Sequence, residues 1–388
     1  MRILMVTNTY LPARNGVAAV VSLYVRELSA RGHDVHVLTY EHPRRTERMH
    51  GVQEIPSWVG LDSEFKVAPA WRLPESVRER RFDVVHVHHP VLLGAAGVTL
   101  AQAHRLPCVF TCHSNHTDYL DEYGFGLLRP FKGLLASRIA RVVNRCDVAL
   151  APSTHVAAEM ERWGVVTDIE MLEAAADTTR VPPMPRDAAR EQLGLRADEP
   201  VALYVGRISK EKRVDRLVEE FALAARVVPG ARLVLAGDGD QAEAVRRRAR
   251  GLGVDGAVTA LSGLDGEALG AWYSAADVLT SASQSETGPL IVVEAMACGT
   301  PAVCYRAPGF EDRIADGVNG LLAACEPGAL GAGLARVLGD PALRGRLAAG
   351  AVQRAGEYTP ATVIGRLEAC YETLVADTLP RGARAPRS

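Results

Sequence analysis

Two cations and two carboxylates stand where they could act together on a charged, hydroxyl-bearing ligand. The run LYVGRISKEK closes a β-branched segment with Gly206 and Arg207, and Lys212 follows closely. A cation pair just past a strand end suits a diphosphate. A second strand-like run, LVLAGDGD (233–240), ends in a glycine turn. In SETGPLIVVEAMACGTP, Glu286 and Glu294 are eight residues apart, with a helix expected to start near Leu290. The first amides of a helix lack intrahelical partners and bind anions. The pattern describes an anion site flanked by two acceptors for hydroxyl groups.

Other readings of the polar residues are weaker. Asp238-Gly239-Asp240 has the form of a metal-binding Asp-x-Asp, but Asp and Gly favour turns, so a structural role is expected. His86, His88 and His89 end a buried strand in DVVHVHHP without a nearby carboxylate or Cys at ligand spacing, which favours packing or cleft lining over metal binding. Read as eight helical residues, Glu286 and Glu294 would be about 12 Å apart along the axis, too far for a hydrolase acid pair.

These groups need a scaffold, and the chain has room for two. Its 388 residues exceed one ordinary core, which makes two domains the expectation. The 48% apolar and 23% charged composition is that of a soluble protein, and a net charge of −2 gives no reason to expect nucleic acid. All but four of the 44 basic residues are Arg, the exceptions being Lys66, Lys132, Lys210 and Lys212. A well-placed Lys is therefore more informative than a lone Arg. Seven scattered cysteines with no CxxC pair read as thiols in a reducing compartment. No apolar run resembles a signal peptide or reaches the roughly 18 residues of a membrane span, so a cytoplasmic location is expected.

Short β-branched runs alternate with helical patterns in two series, the mark of βαβ units and parallel sheets. The first series covers 3–6, 35–39, 84–87, 109–111 and 148–151, and the second covers 201–205, 233–236, 258–261, 278–280 and 302–304. Between the first two strands, Val17, Val20, Val21, Tyr24, Val25 and Leu28 recur at helical spacing and define one buried stripe. Four prolines in 181–200 suggest an interdomain linker. The expected organisation is a domain over 1–180, the linker, a second domain over 201–360, a helix over 361–378 returning to the first domain, and a disordered tail over 379–388. Ligands in such folds bind beyond the carboxyl ends of the strands, which places the expected site in a cleft between facing domains.

The ordered set of motifs resembles retaining glycosyltransferase family four, of the α/β GT-B fold with two doubly wound Rossmann-like domains. The amino-terminal YLPARNGVAAVVSLYVRELSARGHDVHVLT fits, and FTCHSNHTDYLDEYG is similar to the corresponding stretch of glycolipid-forming members. The resemblance covers nearly the whole chain. It implies a retaining hexosyltransferase whose donor is a nucleotide diphosphate sugar, UDP favoured over GDP, with no metal and no other cofactor. By matching position, Arg207 and Lys212 would hold the diphosphate, Glu294 the ribose hydroxyls and Glu286 the donor sugar. Gly16 and Gly206 would let backbone approach the donor, the amides of Leu290 and Ile291 would complete the cradle, and His113 would lie near the reacting sugar. His116 is the fallback for His113. The family usually has another residue followed by Gly after Glu-Thr, where this chain has Gly288 and Pro289. Pro289 removes one amide donor, yet proline suits the first helical position.

The acceptor is a hydroxyl-bearing molecule with two readings. Asp118, Asp121 and Glu122 could pair with a cationic aminocyclitol of antibiotic assembly, while the surrounding stretch points to a glycolipid. The segment 127–145 mixes Arg129, Lys132, Arg138, Arg141 and Arg145 with Leu134, Leu135, Ile139 and Val142. It reads equally as a helix lying on an anionic membrane, which would make the protein peripheral to the inner membrane face, or as an ordinary surface helix. A nucleotide-sugar-binding protein without activity, or an epimerase of the same fold, are the competing functions.

Overall fold

A computed structural model describes residues 1–378 apart from 14, 43, 45–48, 57, 58, 61–65, 68–72 and 114–131. The chain forms two compact units, Met1–Glu173 with Pro360–Ser388, and Ala174–Thr359.

The first unit is built on β1 (Arg2–Val6), β2 (Asp34–Tyr40), β3 (Val52–Ile55), β6 (Val84–Val87), β7 (Cys108–Thr111), β8 (Val148–Ala151) and β9 (Ile169–Met171), with β4 (Val59–Gly60) and β5 (Lys66–Val67) as a separate antiparallel pair. Its sheet has the order β3-β2-β1-β6-β7-β8-β9 and every neighbour is parallel. Helices cover both faces of such a sheet, so its central strands are almost wholly apolar. The helix Gly16–Ala30 starts at Asn15, whose side chain accepts from the Ala18 amide at 2.9 Å and donates to Thr9 Oγ1 at 2.9 Å. Val20, Val21, Tyr24 and Leu28 of its expected stripe are buried, and Val17 and Val25 are half-buried.

The helix Pro360–Thr378 groups with this unit. Glu368 accepts from Arg31 at 2.9 Å and pairs with His33 at 2.7 Å, and Arg366 reaches Glu173 at 2.6 Å. In the helix Lys132–Val143 the residues Ala136, Ile139, Ala140 and Val143 are buried, and Leu135 and Val142 pack against the same core. Arg145 is bonded to Gln102 and Thr99. The apolar stripe of this helix is thus spent within its own unit, leaving Leu134 as its exposed leucine. No described helix is long and apolar enough to cross a membrane.

The second unit holds β10 (Val201–Val205), β11 (Arg232–Ala236), β12 (Val258–Leu261), β13 (Val278–Ser281), β14 (Ala302–Tyr305) and β15 (Gly320–Ala323), ordered β12-β11-β10-β13-β14-β15 and parallel throughout. Side chains alternate between faces at period two. Val201, Leu203, Val234, Ala236, Leu279, Ala302 and Cys304 enter one core, while Ala202, Tyr204, Leu233, Leu235, Val278, Val303 and Tyr305 enter the other. A sheet with a core on each face is what double winding requires.

Residues 181–200 are part of this unit, not the linker their prolines suggested. They carry the helix Arg186–Gln192, with Pro185 at its N-cap, since proline's fixed φ suits helix entry as well as a loop. Arg186 is tied to Asp277 at 2.6 Å and to the Ala276 carbonyl at 2.6 Å, and Arg190 donates to the Ala275 carbonyl at 2.7 Å. The expected tail over 379–388 lies outside the described residues.

Candidate functional site

In the second sheet the chain winds one way from β10 through β11 to β12 and the other way from β13 through β14 to β15. The reversal opens a crevice beyond the carboxyl ends of β10 and β13, where open α/β sheets bind ligands. Gly206 and Arg207 leave β10, a single 3₁₀ turn follows over Lys210–Lys212, and Glu286 lies in the loop after β13. Lys212 Nζ donates to Glu286 Oε1 at 2.8 Å, with the two side chains 21% and 12% exposed. This ion pair spans the switch point. Lys212 carries three donor hydrogens, so the pair leaves it able to contact an anion as well. Arg207 is 61% exposed and lies 3.0 Å from Glu211.

Close backbone contacts hold these turns in place. Gly206 adopts φ +143° and its amide donates to the Ala236 carbonyl at 3.0 Å, while the Ile208 amide donates to the Asp238 carbonyl at 2.7 Å. A Cβ on Gly237 would stand 1.8 Å from the Gly206 carbonyl oxygen, and one on Gly239 would stand 2.1 Å from that of Ile208. The Gly-Asp-Gly-Asp turn therefore serves as the seat of the Gly206–Ile208 turn. Among the described residues no group of three or more His, Cys, Asp or Glu is placed to hold a metal ion.

Glu286 precedes the helix Leu290–Ala297, so the helical rise used to separate it from Glu294 does not apply. The two carboxylates are told apart by their partners instead. Glu294 is 4% exposed, with Oε1 accepting from Arg180 Nη2 at 2.6 Å and Oε2 from the Tyr273 hydroxyl at 2.9 Å. Burial raises its pKa above the ordinary carboxylate value, and Arg180 and the Tyr273 hydroxyl oppose the rise. Both partners were missed in the sequence, since neither residue carries a motif of its own. Pro289 sits at the N-cap with φ −66° and ψ 101°, one position before the first helical residue where it was expected. The helix still opens with Leu290 and Ile291, whose amides have no intrahelical acceptor. Gly309, also unflagged, adopts φ +82°, and a Cβ there would come within 2.4 Å of the Glu286 carbonyl oxygen.

The first unit has its own reversal between β1 and β6. Gly16 opens the helix that follows β1, and a Cβ on it would meet no atom within 4 Å. His113 follows β7 and is half-buried, its Nε2 lying 2.9 Å from Nδ1 of His88. His86, His88 and His89 are buried at the end of β6 and packed. His86 is bonded to Tyr371 and Thr111, and His89 Nδ1 accepts from the Asn8 amide at 3.1 Å. Burial pushes the pKa of His86 and of His88 well below the ordinary histidine value, so both rings are neutral at pH 7. His116, Asp118, Asp121 and Glu122 lie outside the described residues.

Comparison with known proteins covers both units. The sequence profile described as Glycosyltransferase Family 4 matches residues 14–180, and that described as Glycosyl transferases group 1 matches residues 185–354. The chain is 29% identical over 336 residues to an alpha-monoglucosyldiacylglycerol synthase of Acholeplasma laidlawii, covering 83% of this chain and 84% of the relative. It is 31% identical over 343 residues to a GDP-mannose-dependent alpha-mannosyltransferase of Mycolicibacterium smegmatis, with coverage of 83% and 84%. Its fold is similar to that of sucrose-phosphate synthase from Thermosynechococcus elongatus, with a TM-score of 0.79 at 22% identity, over 97% of this chain and all of that one.

Proposed function

The chain belongs to glycosyltransferase family 4, and from that premise we propose that it moves a hexosyl group from a nucleotide diphosphate sugar to an acceptor hydroxyl, without a metal and with retention at the sugar carbon. The observation that carries this reading is the Lys212–Glu286 pair across the switch point. Lys212 and Arg207 hold the donor diphosphate, with the amides of Leu290 and Ile291 and the glycine turn at Gly206 completing the cradle. Glu294, fixed by Arg180 and Tyr273, takes the ribose hydroxyls, and Glu286 takes a hydroxyl of the donor sugar. Gly16 gives the phosphates room, and His113 contacts the reacting sugar.

In the reaction the bond from the sugar carbon to the diphosphate oxygen breaks and the acceptor oxygen bonds to that carbon from the same face. The acceptor proton passes to a phosphate oxygen of the departing nucleotide. No enzyme nucleophile is required. Negative charge grows on the leaving group, where Lys212 and Arg207 neutralise it, and preorganised charge of this kind is the largest single source of rate in many enzymes.

The proposed acceptor is a lipid hydroxyl and the proposed donor a UDP-hexose. The likeness to a monoglucosyldiacylglycerol synthase supports a lipid acceptor and a glucosyl group, while the mannosyltransferase relative makes GDP-mannose the donor to test against. The protein acts in the cytoplasm, at the inner membrane face where such a lipid is met. A thermal-shift screen ranks donors, since a ligand at 100 times its Kd adds about 2.7 kcal/mol to stability. Product analysis with and without diacylglycerol vesicles or an aminocyclitol then separates the functions. Sugar on the acceptor supports transfer, an isomerised sugar without acceptor marks an epimerase, and donor binding with no product overturns the enzyme reading.

A further inference from the structure

Beyond the groups assigned above, a dry row of imidazoles runs behind His113. The rings of His86 and His88 are 4.1 Å apart between centroids, and those of His88 and His113 are 5.1 Å apart with planes 28° from parallel. His88 is wholly buried. Burial holds it neutral, so one ring nitrogen carries hydrogen and the other is an acceptor. Its Nε2 lies 3.3 Å from Met5 Sδ. A thioether accepts and cannot donate, so the hydrogen of His88 resides on Nε2. Nδ1 is then the acceptor, and the atom facing it at 2.9 Å, Nε2 of His113, is the donor.

We propose that His88, backed by Met5, is a positioning residue that fixes the ring of His113 in the tautomer with hydrogen on Nε2, the state in which His113 meets the bound sugar. This rests on the proposed contact between His113 and the donor sugar. A ring that is both oriented and fixed in tautomer meets the substrate without reorganising, as histidines held by outer partners do elsewhere. His86 braces the row from behind, its Nδ1 2.5 Å from the Tyr371 hydroxyl and its Nε2 2.7 Å from Thr111 Oγ1.

The test joins two readouts on the full chain. Two-bond proton–nitrogen NMR of histidine-labelled protein reads the His113 tautomer directly, and hydrogen on Nε2 is expected. His88→Leu removes the acceptor and is expected to lower kcat about 10–100-fold while the donor KM changes little, by analogy with other outer-shell losses. His88→Asn returns an acceptor oxygen near the place of Nδ1 and is expected to recover most of that loss. Hydrogen on Nδ1 of His113 in the wild type, wild-type kcat in His88→Leu, or His88→Asn falling as far as His88→Leu at unchanged Tm would each overturn the proposal. Should the wild type transfer no sugar, the functional reading fails, yet the NMR result still decides whether His88 sets the tautomer.

Discussion

Lys212 is the side chain on which the chemistry most depends, because it is a cation held beside a carboxylate at the crevice of the second sheet. Lys212→Ala is expected to lower kcat about 100- to 1000-fold, the usual cost of one preorganised contact to developing charge, with Tm close to wild type because the side chain is not part of the core. Wild-type turnover in that variant, measured by release of nucleotide diphosphate, would remove the basis of the site. Tyr273 acts at one remove. Its hydroxyl gives buried Glu294 a hydrogen bond at 2.9 Å, and Tyr273→Phe leaves that carboxylate short of a donor at a cost of about 1–3 kcal/mol. Urea denaturation should report the loss, and the donor KM should rise with it if Glu294 holds the ribose. Gly206, Arg207, Glu286 and Glu294 could be singled out from the sequence because they lie just past a strand, in the loop before a helix or within that helix, which local patterns reveal. Arg180, Tyr273 and Gly309 were not, because each matters only through a neighbour distant in sequence.

At the scale of elements, the segment before β10 shows how a proline-rich stretch can be structural. Asp277, 2% exposed, accepts from the Val201 amide at 2.7 Å and lies 2.6 Å from Arg186, 3.0 Å from Arg344 and 3.7 Å from Arg190. One carboxylate thus joins the start of β10, the helix Arg186–Gln192 and the helix Pro341–Ala355. Asp277→Ala strands buried guanidinium charge and is expected to cost about 3–5 kcal/mol, read as a lower urea midpoint for the second unit; a loss under 1 kcal/mol would show the network to be ornamental. Every strand in the interior of the two sheets was visible as a β-branched run. The three that were not, β3, β9 and β15, are all sheet edges. Gln53 and Glu54 interrupt VQEI and Glu170 interrupts IEM, while GLLA has no β-branched residue.

At the scale of the whole molecule, all eleven histidines precede Glu173, and the second unit has none. His86 and His88 are held neutral by burial, with folded pKa values depressed below the unfolded value of about 6.5. Their contribution to stability is therefore complete above pH 6.5 and is lost as pH falls through that value, because the unfolded chain takes up protons that the folded chain refuses. Each costs up to about 1.4 kcal/mol per pH unit until its folded value is reached. Glu294 has the opposite sign, since a raised carboxyl stabilises more as pH falls. Hydrogen exchange followed from pH 7 to pH 5 should show peptides of Met1–Glu173 losing protection before those of Ala174–Thr359. The reverse order would contradict the burial of the two rings.

What the amino-acid sequence determined by itself was the alternation of strand and helix, the two-unit α/β plan and the strand ends at which charged groups emerge. Periodicity, turn chemistry and helix entry are local properties, written within a few residues of where they act. The tertiary structure alone decided the pairings. Lys212 meets Glu286 across 74 positions, Arg180 meets Glu294 across 114, and His86 meets Tyr371 across 285. Such contacts depend on the order in which strands assemble and on which side chains that order drives out of water, and neither is encoded in any short stretch of the chain.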